Sequence, residues 1–175
     1  QPFRTFLQIV GLSRSFVMYR AHPFKRRALV NLYAAFIRPG DLCFDIGAHI
    51  GSHLSIWLKL GARVLAVEPN PACARILRAV YGRSAVIVET AAWDSAGTQK
   101  LFISTRSPTL STLRRDWIET VRHKRDFSRN RWDDTVEVRT ITLDGLIDRY
   151  GKPGFCKIDV EGAEDRVLQG LTQPL

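Results

Sequence analysis

Apolar positions along this chain fall into two alternating rhythms. Leu29, Leu32, Tyr33, Phe36 and Ile37 recur at three- and four-residue steps, which predicts a helix with one buried face. Pro39-Gly40 stops it. Leu42–Ile46 is apolar on both faces until its last positions, the pattern of a central parallel strand. Ile50, Leu54, Trp57 and Leu58 then give a sheet-facing stripe, closed by Gly61. Arg63–Val67 is a second strand, and Asn70-Pro71 reads as a helix N-cap with proline in the first turn. Cys73, Ile76, Leu77 and Val80 supply that helix with a buried face. Residues 85–88 make a third short strand, and 100–103 a strand returning from a turn at 94–97. Residues 135–141 alternate as a half-buried strand, and Leu143, Leu146 and Ile147 form a short helix ending near Gly151. Residues 155–159 are another apolar run ending on an acid, followed by Ala163, Val167 and Leu168 at helical spacing and closed by Gly170. The alternation predicts an α/β fold, an open and mostly parallel Rossmann-like sheet with helices on both faces.

The exception is residues 104–134, rich in Ser, Thr, Arg and Asp, with one weakly helical stretch near 113–121. A polar insertion of this length is expected to be a lid or a disordered loop. Residues 1–24 mix apolar and basic side chains without a clean period and are read as an N-terminal extension. Residues 25–175 then form one domain, a size that permits a real core.

Composition narrows the class without choosing a function. An apolar fraction of 45% and a charged fraction of 25% are ordinary for a soluble domain. No run approaches the length needed to cross a bilayer. The three cysteines are far apart and fall within predicted elements, which suggests buried thiols in a reducing, cytoplasmic compartment. No spacing points to zinc. The first residue is Gln1 rather than Met, which suggests a piece of a longer product. The net charge of +9 admits nucleic acid, an anionic surface or an acidic small substrate as partner.

Candidate chemistry gathers where strands end. The first strand runs into Asp45, with Gly47 and Gly51 spaced D-x-G-x-x-x-G before the next helix. Small residues let backbone N–H groups approach a ligand, and the acid faces the same space. An acid there repels a pyrophosphate but attracts a cation, so the turn suits S-adenosylmethionine better than a dinucleotide. The bland alternative is a tight turn with Asp45 as a cap. The missing glycine at His49 also disfavours a dehydrogenase. The second strand ends on Glu68, a carboxylate able to accept hydrogen bonds from both ribose hydroxyls. His49 and His53 read more simply as packing or hydrogen-bonding residues than as bases.

Four blocks together resemble the FkbM-type methyltransferases. They are Phe44-Asp45-Ile46-Gly47-Ala48-His49-Ile50-Gly51, Val67-Glu68-Pro69-Asn70-Pro71, Thr142-Leu143-Asp144, and Lys157-Ile158-Asp159-Val160-Glu161-Gly162-Ala163-Glu164. The resemblance covers roughly residues 40–171. It implies a class I, S-adenosylmethionine-dependent enzyme, most often an O-methyltransferase of sugars or secondary metabolites. By that resemblance Asp45, Gly47 and Gly51 hold the methionine end of the cofactor and Glu68 its ribose. Ala92 and Trp93 lie against the adenine, and Asp159 and Glu161 face the methyl group and the acceptor. Two departures stand out: His49 occupies a position that is usually Asn, and the chain stops before the last strands of a class I sheet. The domain is therefore expected to be C-terminally incomplete.

Asp159 and Glu161 sit two residues apart across a strand-to-helix turn, so one could orient an acceptor hydroxyl while the other takes its proton. Alternatively, Glu161 and Glu164 only favour the first turn of the last helix. A metal held by Asp159, Glu161 and Glu164 lacks a diagnostic spacing, and none is expected. In the insertion, Arg114, Arg115, Arg122, His123, Lys124, Arg125, Arg129 and Arg131 interleave with Trp117, Phe127 and Trp132. Such a segment reads as a solvated lid, as a clasp for an anionic acceptor, or as a nucleic-acid surface. The last would make the chain a non-catalytic binding module, the rival to an enzyme.

Overall fold

A computed structural model describes residues 23–125, 127 and 130–174. Most of the proposed N-terminal extension, Arg129 and Leu175 lie outside the described residues. The elements run α1 (Pro23–Ala34), β1 (Leu42–Ile46), α2 (Leu54–Lys59), β2 (Arg63–Val67), α3 (Pro71–Tyr81) and β3 (Val86–Val88). They continue through β4 (Ala91–Ala92), β5 (Gly97–Ile103), a 3₁₀ turn (Pro108–Leu110), α4 (Arg115–Val121) and β6 (Asp134–Ile141). The last are α5 (Leu143–Tyr150), β7 (Phe155–Ile158) and α6 (Glu164–Gln169).

A four-stranded parallel sheet in the order β3-β2-β1-β7 forms the centre. Strand residues alternate between its faces. Cys43, Val64 and Ala66 pack with Tyr33, Leu54, Trp57 and Leu77 under α1, α2 and α3. Phe44, Ile46, Leu65 and Val67 pack with Leu143, Leu146 and Val167 of α5 and α6 on the other side. Helices therefore cover both faces, and the fold is Rossmann-like. Asn70 caps α3 as its sequence suggests, its side chain accepting from the Ala72 N–H. Thr142 caps α5 in the same way through Gly145.

A second, smaller sheet in the order β4-β6-β5 is appended after β3. β4 runs parallel to β6, and β5 pairs with β6 antiparallel over its whole length. Leu101, Ile103 and Val138 give this sheet its own apolar cluster with Ala91.

Several side chains assigned to buried faces lie outside. Leu32 and Phe36 are 53% and 61% exposed, and Val80 and Leu168 are also open to solvent. α1 ends at Ala34, so Phe36 sits on the following turn rather than on the helix stripe. The insertion departs further from expectation. Ser104, Thr105 and Thr112 are buried, and Asp133 fixes Thr105 through both its N–H and its hydroxyl. Trp117 meets Phe127 and Trp132 edge to face, and the Trp132 indole donates to the Leu110 carbonyl. Packed aromatics and local hydrogen bonds make these described residues a wall of the domain.

A cleft at the carboxyl ends of the strands

The carboxyl ends of β1, β2 and β7 open onto one cleft. Gly47, His49, Glu68, Ala92, Asp159 and Glu161 line it, with Thr109, Ser111, Thr112 and Leu113 of the insertion closing one side. Ligands of open α/β sheets bind at this end because neighbouring connections depart to opposite faces there and leave a crevice.

The floor is built by close backbone packing. The Gly47 N–H donates to the Val67 carbonyl, and the Asp159 N–H donates to the Ile46 carbonyl. Gly47 has φ +77°, and a Cβ on it would lie 1.9 Å from the Asp159 carbonyl oxygen. Only glycine lets the turn after β7 come this near the turn after β1.

Glu68 is buried and held at both oxygens. Oε2 accepts the His49 N–H at 2.7 Å and Oε1 the Asn70 N–H at 2.9 Å. Burial pushes its carboxyl up to about 7, against the pull of those two N–H groups. Each oxygen keeps a lone pair for a further donor. His49 adopts φ +50°, and its Nε2 is buried without a hydrogen-bond partner. Burial lowers its pKa to about 4, with the Asp159 charge opposing, so the imidazole is neutral near pH 7.

Asp45 lies behind the floor, fully buried, and not on the cleft surface. β1 and β7 pair in register with Asp45 opposite Lys157, which places the two side chains beside one another. The Lys157 ammonium lies 3.3 Å from Asp45 Oδ1 and 3.3 Å from Asp159 Oδ2. Burial opposes the Lys157 charge, but Asp45 and Asp159 outweigh it and hold its pKa above the ordinary lysine value. On the far side Tyr33 and His53 share a hydrogen bond of 2.7 Å.

The turn after β7 carries the remaining acids. Glu161 sits at φ +53° on the cleft, its carboxyl pushed up to about 7 by burial and then by Asp159 and Glu164. Glu164 has a different task, accepting the Val160 N–H at 3.0 Å and so bracing the turn. The insertion grips the same turn at three points. The Thr112 hydroxyl donates to the Glu161 carbonyl at 2.7 Å, and Arg114 reaches Asp165 at 3.1 Å. Trp117 packs on Gly162 so closely that a Cβ there would fall 2.1 Å from its ring.

The structure thus brings Gly47, Glu68, Ala92, Asp159 and Glu161 to one cleft and places Asp45 beneath it. Gly51 packs under the Tyr81 ring and Leu77 of α3 instead. Trp93 is buried against Gly170, with Arg166 over its ring, and is set back from the cleft surface. Sequence reasoning gave no role to Lys157 or Thr112, and read Trp117 as part of a basic lid or binding segment rather than as the cover of the turn after β7. Lys157 carried a signal, a cation interrupting an apolar strand. Among the described residues no group of three His, Cys, Asp or Glu side chains is arranged to hold a metal ion, and no helix is long and apolar enough to cross a membrane.

Fold and cleft define a Rossmann-like domain with an acid-lined cleft at its strand ends. Residues 45–175 match the methyltransferase FkbM domain, and the chain belongs to that family. It is 28% identical to the 31-O-demethyl-FK506 methyltransferase FkbM of Streptomyces tacrolimicus, over 77% of this chain and 61% of that protein. The chain thus spans about three fifths of the curated relative it matches. Among solved structures it is similar to a candidate rRNA methylase from Clostridium thermocellum, with a TM-score of 0.32 and 11% identity. That match covers 35% of this chain and 38% of the other. A candidate exported protein from Bordetella parapertussis aligns with a TM-score of 0.31 and 13% identity, over 44% of this chain and 30% of the other.

Proposed function

We propose that residues 25–175 form the donor-binding and catalytic domain of an S-adenosylmethionine-dependent O-methyltransferase acting on a sugar or secondary-metabolite hydroxyl. The observation that carries the reading is Glu68, a buried carboxylate at the end of β2 whose oxygens are aimed into the cleft by two backbone N–H groups. The cleft residues fit a cationic nucleoside. Acids dominate the floor, the buried Nε2 of His49 lacks a partner, and both Glu68 oxygens can accept another hydrogen bond. When bound, the cofactor supplies an electrophilic methyl group on a sulfonium.

The chain's own residues supply alignment and proton removal. Gly47 and Asp45 support the methionine end from below and Glu68 receives the ribose hydroxyls. Ala92 offers apolar surface to the base, while Gly51 and Trp93 act by packing the turn and the wall behind it. Glu161 takes the hydroxyl proton, because a carboxyl near pKa 7 is both available and basic enough at neutral pH. Asp159 orients the reacting groups beside it. The insertion walls the acceptor side, and its cations suit an anionic acceptor. Its aromatic rings are engaged with one another and with Gly162, which leaves them poorly placed to stack on nucleic-acid bases.

Titration calorimetry with S-adenosylmethionine and S-adenosylhomocysteine tests the donor assignment. Binding of both is expected, with Glu68→Ala weakening each by about tenfold or more, the loss of a well-placed hydrogen-bonded carboxylate. A variant that binds as the native protein does removes the ribose assignment.

A further inference from the structure

Two acids, Asp45 and Asp159, stand at the ends of the neighbouring strands β1 and β7. Their surroundings separate them. The Asp45 side chain is 1% exposed and faces the α1–α2 side of the sheet, with Lys157 as its counter-ion. Neither of its oxygens makes a well-formed hydrogen bond. The Asp159 side chain is 59% exposed and lies on the cleft. Lys157, 15% exposed, touches both at 3.3 Å.

The cause is register. Asp45 and Lys157 are cross-strand partners in parallel strands, and residue 159 follows 157 by the two-residue step that returns to the same face. A single ammonium on that face can reach both carboxylates, with one formal positive charge against two negative. In a buried site the unshielded carboxylate is balanced against Lys157, and the exposed one retains the surplus negative charge.

We infer that Lys157 is a positioning residue: it neutralises Asp45 behind the floor and holds the Asp159 carboxylate at the cleft, so that of these two acids only Asp159 presents charge to the cationic donor. Asp45 then acts through Lys157 and not by contact. This rests on the methyl-donor reading above and adds which acid discriminates the sulfonium form from the neutral thioether product.

Calorimetric dissociation constants for S-adenosylmethionine and S-adenosylhomocysteine measure that discrimination directly, since the two differ by a methyl group and its positive charge. Asp45→Asn/Lys157→Met removes both members of the buried pair, leaves no uncompensated buried charge and conserves the net charge of the three-residue group. It is expected to lose about tenfold more affinity for the sulfonium form than for the thioether, because Asp159 is no longer held. Asp159→Asn, a change at an exposed side chain that threatens folding little, is expected to lose a comparable share of the preference with Asp45 and Lys157 intact. Unchanged preference in Asp159→Asn overturns the inference whether or not the double variant folds. A folded double variant with native preference does so too. Binding of neither ligand to the native protein would instead sink the methyl-donor reading itself, a different result from both ligands binding with an unaltered ratio.

Discussion

At the scale of single residues, Glu161 is the side chain whose environment most constrains its chemistry. Burial and two neighbouring acids place its carboxyl near 7, well above the ordinary 4.5. A proton acceptor with that pKa gives a methyl-transfer rate that rises with pH through about 7 and levels off above it. Glu161→Gln is expected to lower kcat by roughly a hundredfold or more and to abolish the rise, measured as a pH–rate profile at saturating donor. The same shift has a sign for stability. Between pH 4.5 and 7 the folded protein holds a proton that the unfolded chain has released, so this group's contribution falls as pH rises through that window. Glu161→Gln is therefore expected to be more stable than the native protein at pH 8, by about 1 kcal/mol given partial solvent screening, and nearly equal to it at pH 4.5. Denaturant unfolding at the two pH values checks this. A native protein stabilised relative to the variant at pH 8 would mean that Glu161 is paired with a cation. The strand-end acids were legible in the sequence because a carboxylate closing an apolar run stands out. Lys157 interrupts such a run just as plainly, but its meaning depends on the register that sets it opposite Asp45, and one sequence does not state which strands are neighbours.

At the scale of elements, the instructive piece is α4 and the turn it covers. Gly162 has φ +86° and its α-carbon lies under the Trp117 ring. Gly162→Ala introduces left-handed strain of about 1–2 kcal/mol and also drives the ring away. The expected result is a lower Tm, red-shifted tryptophan emission and faster tryptic cleavage within the arginine-rich insertion. In a Trp117→Ala background the added cost of Gly162→Ala is expected to shrink to the backbone strain alone, a coupling that a thermal-unfolding double-mutant cycle measures. Additive costs in that cycle would mean that ring and turn do not press on one another. Thr112→Val removes the hydroxyl that binds the Glu161 carbonyl and is expected to cost about 1 kcal/mol while raising the acceptor KM more than the donor Kd. Equal effects on both would show that the contact supports the fold without shaping the acceptor side. Strands β1 and β2 were readable to the residue, since a buried parallel strand is a continuous apolar run between breakers. The insertion was not, because it is stabilised by single long-range contacts, Thr105 to Asp133 and Trp132 to Leu110, that leave no period behind.

At the scale of the molecule, the three larger apolar clusters among the described residues divide the labour. Two lie on opposite faces of the parallel sheet and one belongs to the appended mixed sheet. The first two grip β1 and β2 from both sides, so their amides are expected to exchange with solvent most slowly. The cleft lies where these well-anchored strands meet the appended sheet and the insertion. Half of it is thus framed by strands expected to open last, and half by a wall tied to the segment after β7 by the Thr112 hydroxyl, the Arg114–Asp165 ion pair and the Trp117 ring. Ligand binding has little left to order in the first half and much in the second. Hydrogen exchange with and without S-adenosylhomocysteine is expected to show added protection at residues 47–51 and 159–163 and, more strongly, across 108–117. No change is expected at residues 82–85, at the opposite ends of the strands. Protection confined to the two strand-end turns, with 108–117 unchanged, would mean that the insertion does not close on a bound nucleoside and that acceptor recognition lies elsewhere.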